Sequence, residues 1–230
     1  MNFAIKVEMP GGAALFTTRS GGVSSAPYES LNLGLWTDDD ADAVRENRRR
    51  LSASIGLPLV QGHQVHGTDI EVWDESSDLQ KTPDADAHIT ERRDLAAVVL
   101  AADCLPVAFS SESAVAIVHA GWRGIVDGIL ETTIDLMRAR GAADDTLHAV
   151  IGPGAGPCCY EVAGEARERL KPHLEGDNAD LKAAAGKRIA DRRIDSLRDL
   201  GLCTICDARF FSHRRDGGVT GRQAGIVWRT

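Results

Sequence analysis

The sequence predicts an α+β fold: a single layered domain of mixed β-sheets flanked by helices, spanning residues 1–230. Two observations carry this. Strand-like runs rich in Val, Ile and Ala recur at 13–18, 59–66, 95–102, 113–119 and 146–151. Helical patterns interrupt them without a regular βαβ period, which favours mixed sheets packed with helices over a doubly wound parallel sheet. A length of 230 residues with 43% hydrophobic and 26% charged residues allows one sizeable core and excludes a largely disordered chain.

Taken in order, the first strand (13–18) precedes a helix over 40–56, with Val44, Leu51 and Ile55 on its inner face and Gly56 at its end. The polar stretch 74–86 is short enough to be a surface loop. The run LAAVVLAA (95–102) leads into Asp103 and Cys104, and Pro106 is expected to disrupt strand pairing there. The next strand ends in His119 and a Gly-Trp-Arg-Gly turn. A long helix over 125–139 follows, with Ile125, Ile129, Leu130, Ile134 and Met137 as one stripe and Gly141 as its stop. Two more helices are expected, over 162–170 and over the Arg-rich 188–200.

The longest uninterrupted apolar run, 95–102, is far shorter than the roughly 20 residues that span a bilayer, so no membrane partner is expected. The N-terminus offers no apolar leader, and five cysteines are too few for a disulfide scaffold. A reducing cytoplasmic setting is expected. The net charge of −8 is unevenly spread. Residues 182–230 carry 11 Lys and Arg against 5 Asp, while the rest carries 15 basic and 29 acidic residues. No recognition-helix or zinc-finger pattern accompanies the basic end, so no nucleic acid partner is expected.

Reactive residues gather at the strand ends, where a rigid scaffold presents chemistry. His66 precedes a glycine, Cys104 follows a buried strand, and His119 ends another. Two imidazoles and a thiolate make a good zinc set, and three protein ligands leave one position open for water. Cys104 and His119 alone could instead be a nucleophile and its base. His63, three residues before His66, would point to the opposite strand face. Cys203 and Cys206 form a CxxC, but no second close pair completes a Cys₄ set, and adjacent Cys158 and Cys159 chelate one metal poorly. The metal is therefore expected to be independent of these four. Arg19, Arg123, Arg214 and Arg215 adjoin glycine-rich turns, and their guanidinium forks suit phosphate.

Seven segments together resemble the YfiH-type family in order and approximate spacing. They are TTRSGGVSSAPYESLNLG (17–34), QVHG (64–67), DADAHIT (84–90), LAADCLPVAF (100–109), VHAGWRG (118–124), IGPGAGPCCYEV (151–162) and FFSHRRDGGVTGR (210–222). That family was long labelled polyphenol oxidase or multicopper laccase and is now described as zinc-binding purine nucleoside phosphorylases. The resemblance implies a layered fold related to the CNF1-type cysteine hydrolases, and a metal held by His66, Cys104 and His119. It also implies phosphorolysis of adenosine, inosine and methylthioadenosine, some adenosine deamination, and purine nucleoside and phosphate as partners.

Residues 171–200 match the family poorly, and His213 stands where an aromatic residue is commoner. A laccase needs many histidines in HxH clusters, and this chain has seven and no HxH. Its three methionines lie outside the motifs, which leaves a blue-copper site without an axial ligand. Zinc is the expected cofactor, with adventitious copper at the same ligands. The alternative activity is a Cys-His hydrolase acting on an amide bond, such as a peptidoglycan-precursor editing enzyme.

Overall fold

The alternation of buried side chains decides the layering. The computed structural model describes residues 3–143, 146–194 and 196–230. A five-stranded sheet contains β1 (Ala4–Met9), β2 (Gly12–Thr17), β3 (Leu59–Val60), β6 (Ala96–Ala101) and β13 (Gln223–Arg229), in the order β1-β2-β13-β6-β3. A six-stranded sheet contains β4 (Ile70–Trp73), β5 (Ala87–Thr90), β7 (Leu105–Ser110), β8 (Val115–Ala120), β9 (His148–Ile151) and β12 (Ser196–Asp199), in the order β12-β9-β7-β8-β5-β4. Both are mixed. The β3–β6, β4–β5 and β9–β12 pairs are parallel, and the rest are antiparallel. A small ribbon joins β10 (Leu174–Glu175) to β11 (Asn178–Ala179).

Every residue of β6, β7 and β8 is buried, so each of these strands supplies two apolar faces. Ala97 and Val99 face Ala108, Val115 and Ile117 across the space between the sheets. On the outer face of the five-stranded sheet, Ala96, Val98 and Leu100 meet Leu51 of α1 (Ala41–Ile55). On the outer face of the other sheet, Leu105, Val107 and Phe109 meet α2 (Trp122–Asp127), α3 (Ile129–Ala139) and α5 (Leu181–Asp191). The order of layers is helix, sheet, sheet, helices. Each fully buried Leu, Ile or Phe contributes roughly 1.5–3 kcal/mol relative to exposure.

The α+β class with mixed sheets is borne out, and the first helix lies where expected. Its Asp40 caps the Ala43 N–H, and Gly56 takes a left-handed φ of 79°. Other expectations need correction. The stripe over 125–139 belongs to two helices, because Gly128 adopts φ 96° and ends α2 before α3 begins. The Arg-rich helix expected over 188–200 is displaced: α5 ends at Asp191, residue 195 lies outside the described residues, and 196–199 form edge strand β12. Strand 59–66 shrinks to β3, after which the chain bends toward the site. The helix over 162–170 is the short α4 (Gly164–Arg169).

Pro106 does not disrupt pairing. It sits inside β7 opposite His119, and its carbonyl accepts from the Gly152 N–H at 2.9 Å. Toward Gly152 the pair therefore keeps the one bond in which Pro106 accepts, and the register of β7 with β8 continues through Pro106↔His119. Among the described residues, no helix is long and apolar enough to cross a membrane.

Candidate metal centre at the strand ends

The buried carboxylate of Asp86, at the head of β5, organises the centre. Its Oδ2 accepts from the Val65 and Gly67 backbone N–H groups, each at 2.9 Å, and its Oδ1 accepts from the His66 N–H at 3.1 Å. The same Oδ1 accepts from His119 Nδ1 at 2.7 Å. One carboxylate therefore holds the backbone around one histidine and the ring of the other. Wrapping three consecutive N–H groups around it puts His66 in the left-handed region, at φ 61°.

With Nδ1 committed to Asp86, His119 has only Nε2 free, and a carboxylate on the far ring nitrogen is common for metal-binding histidines. His66 Nε2 lies 3.9 Å from Cys104 Sγ, and the two imidazole rings meet edge to face with centroids 4.9 Å apart. The ligand atoms of His66, Cys104 and His119 all lie within 4.8 Å of one another. Gly121 leaves room for them, since a Cβ there would stand 3.2 Å from both Cys104 Sγ and His66 Cδ2. His66 is exposed, Cys104 half-buried and His119 buried, so the trio is open on one side.

The charges are tightly linked. Burial alone would push the Cys104 thiol up, but the His119 charge and hydrogen bonds from His119 and His66 outweigh it and bring the thiol down to about 6. Burial would likewise push His119 down, but the Cys104 thiolate and Asp86 raise it to about 9. Each group of the pair thus favours the charged form of the other.

Asp103 turns away from the trio. At φ 95°, its carboxylate accepts from Thr204 Oγ1 and the Arg214 N–H, each at 2.7 Å, and so ties Cys104 to the C-terminal loop. Beside the trio lies a cleft lined by Trp122, Tyr160, Glu161 and Arg214. Burial raises the Tyr160 phenol to about 12; the nearby Cys104 adds to this, while Arg214 and Arg123 oppose it.

The arginines differ in what holds them. Arg123 is exposed, lies 4.3 Å over the Trp122 ring and makes no ion pair to an acidic side chain among the described residues. Arg214 stacks 5.2 Å from the Tyr160 ring and donates to the Glu161 carbonyl. Arg19 donates to the Glu29 carbonyl and stacks on Phe211. The Arg215 guanidinium is taken up by Asp216 and by the carbonyls of Thr204 and Phe210.

Sequence reasoning missed Asp86, Tyr160 and Trp122. For Asp86 there was a signal: an acidic residue opening the apolar strand of DADAHIT. His63 takes no part in the trio, since it pairs with Asp84 at 2.9 Å and packs against Trp36. The cysteines require a correction. Cys158, Cys159, Cys203 and Cys206 converge, with all four sulfurs within 4.8 Å of one another.

The whole chain resembles known proteins in sequence and in fold. A family model described as multi-copper polyphenol oxidoreductase laccase matches residues 13–230. A Pseudomonas aeruginosa protein named purine nucleoside phosphorylase is 40% identical, over 94% of this chain and 92% of its own. The Escherichia coli protein named purine nucleoside phosphorylase YfiH is 37% identical, over 95% and 94%. A crystal structure of a Neisseria meningitidis protein superposes with a TM-score of 0.91 at 34% identity, covering 98% of each chain. With matches of this extent in sequence and in fold, the chain belongs to the YfiH family.

Proposed function

We propose that this protein is a purine nucleoside phosphorylase acting at His66, Cys104 and His119, with adenosine deamination as a side activity. The observation that carries the reading is the open His-Cys-His trio, locked by Asp86, beside a cleft that pairs aromatic rings with guanidinium groups. The names of the relatives agree with it.

The donor set fits zinc. Two imidazole nitrogens and one thiol are within reach of one ion, and Gly121 keeps the space clear. When bound there, zinc supplies Lewis acidity and a lowered pKa for water. The chain's own groups do the rest. Phosphorolysis breaks the bond between ribosyl C1′ and the purine nitrogen, leaves the electron pair on the base and forms a bond from C1′ to phosphate oxygen. Arg123 and Arg214 offer charge-assisted donors to that phosphate, and Trp122 and Tyr160 offer faces on which a purine stacks. Asp86 keeps the His119 Nδ1 proton in place, so that Nε2 faces the reacting centre.

A laccase reading fits less well, because among the described residues two histidines, not a larger histidine cluster, come to this centre. A Cys-His hydrolase of amides has one observation in its favour: Cys104, His119 and Asp86 line up as nucleophile, base and orienting acid. Incubation with adenosine, with and without phosphate, separates these readings. Phosphate-dependent release of adenine and ribose 1-phosphate is expected, with phosphate-independent release of inosine and ammonia as a smaller product. No phosphate-dependent base release overturns the phosphorylase reading. Amide cleavage that survives complete zinc removal favours the hydrolase.

A further inference from the structure

The parallel neighbours β9 and β12 end side by side and send two loops outward together. The loops are stitched by the Gly154 N–H to the Leu202 carbonyl at 3.2 Å and the Thr204 N–H to the Gly154 carbonyl at 3.1 Å. One loop carries Cys158 and Cys159, the other Cys203 and Cys206. Sulfur separations are 3.2 Å for Cys158–Cys206, 3.3 Å for Cys158–Cys159, 3.8 Å for Cys159–Cys203 and 2.6 Å for Cys159–Cys206. Four thiolates around zinc, with Zn–S bonds of about 2.3 Å, stand roughly 3.8 Å apart at the corners of a tetrahedron. Cys158–Cys206 and Cys158–Cys159 stand about half an ångström inside that spacing, and Cys159–Cys206 is the furthest inside it. The loops need to open by about an ångström there.

A second observation points the same way. The Gly156 N–H donates to Cys203 Sγ at 3.3 Å, and a backbone donor aimed at a sulfur stabilises its thiolate. Gly156 is also needed sterically: a Cβ there would stand 3.2 Å from Cys203 Cβ and 3.4 Å from the sulfurs of Cys158 and Cys203.

We infer that Cys158, Cys159, Cys203 and Cys206 form a second metal site, closed by four protein thiolates and filled by a soft divalent cation of the zinc class. Binding displaces the thiol protons to solvent and involves no redox step. A four-thiolate set has no open position, so the site is structural. It ties the turn leading into Tyr160 to the loop whose Thr204 holds Asp103 beside Cys104. It therefore braces one wall of the reactive cleft without touching substrate.

The test is zinc counting on the full chain produced and purified under reducing conditions with added Zn²⁺. About two ions per chain are expected for the parent. Cys104→Ser should retain about one, and the Cys203→Ser/Cys206→Ser variant should retain about one at the other centre. Parent protein with about one ion, lost in Cys104→Ser and kept in the double variant, overturns the second site while leaving the first intact. Two ions in the parent with none kept in Cys104→Ser likewise overturns it. Should the double variant fail to fold, the parent protein answers by itself. Stepwise modification of thiols should release one zinc as the four cysteines react. Reaction of the four without zinc release overturns the proposal, as does a Cys159–Cys206 disulfide in reduced-handled protein.

Discussion

The two sulfur-containing clusters are built on opposite plans. In the first, each ligand comes from a separate stretch of chain, and a fully buried carboxylate fixes two of the three before any ion arrives. In the second, the ligands come as two close pairs on stitched loops, with Cys158 and Cys206 exposed. The first is preorganised by the core. The second depends on its own ligands to hold the loops at the right distance. Preorganisation suits a centre that must keep a position open, and self-closure suits a brace.

The largest effect that tests this contrast is expected at Asp86. Asp86→Ala strands the His119 Nδ1–H and three backbone N–H groups, each worth about 1–3 kcal/mol when left unpaired. The variant should lose several kcal/mol in urea unfolding. The milder Asp86→Asn should weaken zinc at the first centre about 10–100-fold in chelator competition, and leave the four-cysteine site unchanged. Unaltered zinc affinity at the first centre would break the contrast.

Next in size is a pH effect on the strand that carries Asp86. His88 is wholly buried, accepts from the Gly62 N–H, and is pushed down by burial from 6.5 to about 4. The unfolded chain takes up a proton as pH falls through 6.5, and the folded ring refuses it until about 4. Its contribution to stability is therefore full above about pH 6.5 and is lost as pH falls toward 4. Between pH 7 and pH 5 the loss should be about 2 kcal/mol by denaturant titration. A His88→Asn variant should show a flatter profile, and an identical profile would rule His88 out.

Smaller still is the effect at Arg123. Arg123→Ala should raise the KM for phosphate by about tenfold, equivalent to about 1.4 kcal/mol, while sparing zinc content and deamination. Equal loss of both activities with a lower Tm would make it a structural arginine. The smallest effect is expected at Gly156→Ala, which presses on the cysteine loops and should cost less than about 1 kcal/mol. Zinc should leave the second site faster and the first site unchanged; equal release from both sites would erase the distinction between them.

The first centre was legible because His66, Cys104 and His119 each stand near the end of a strand-like run and one or two residues before Gly or Pro, a pattern visible locally. Asp86 was not assigned, because its role rests on folding residues 65–67 around it, which no local pattern states. The second cluster was illegible for a topological reason. Only the pairing of β9 with β12, far apart in the chain, turns one CxxC and one Cys-Cys pair into neighbours. That edge strand is largely exposed and lacks apolar alternation, which is also why 188–200 read as a helix. Pro106 misled because a proline still accepts through its carbonyl, and here it does so from Gly152 at the end of the ladder.

The position of β13 has a consequence for how the chain is made. Residues 223–229 lie between β2 and β6 in the five-stranded sheet, bonded to both. During synthesis those two strands emerge long before their common neighbour and wait with open edges. Contacts this distant in sequence form slowly, so the half-built sheet is the species most exposed to misassociation on the ribosome. Slower growth at low temperature, or added chaperone, should therefore raise soluble yield. Removal of residues 223–230 should send the remainder into aggregates, whatever happens at its two cysteine-containing clusters.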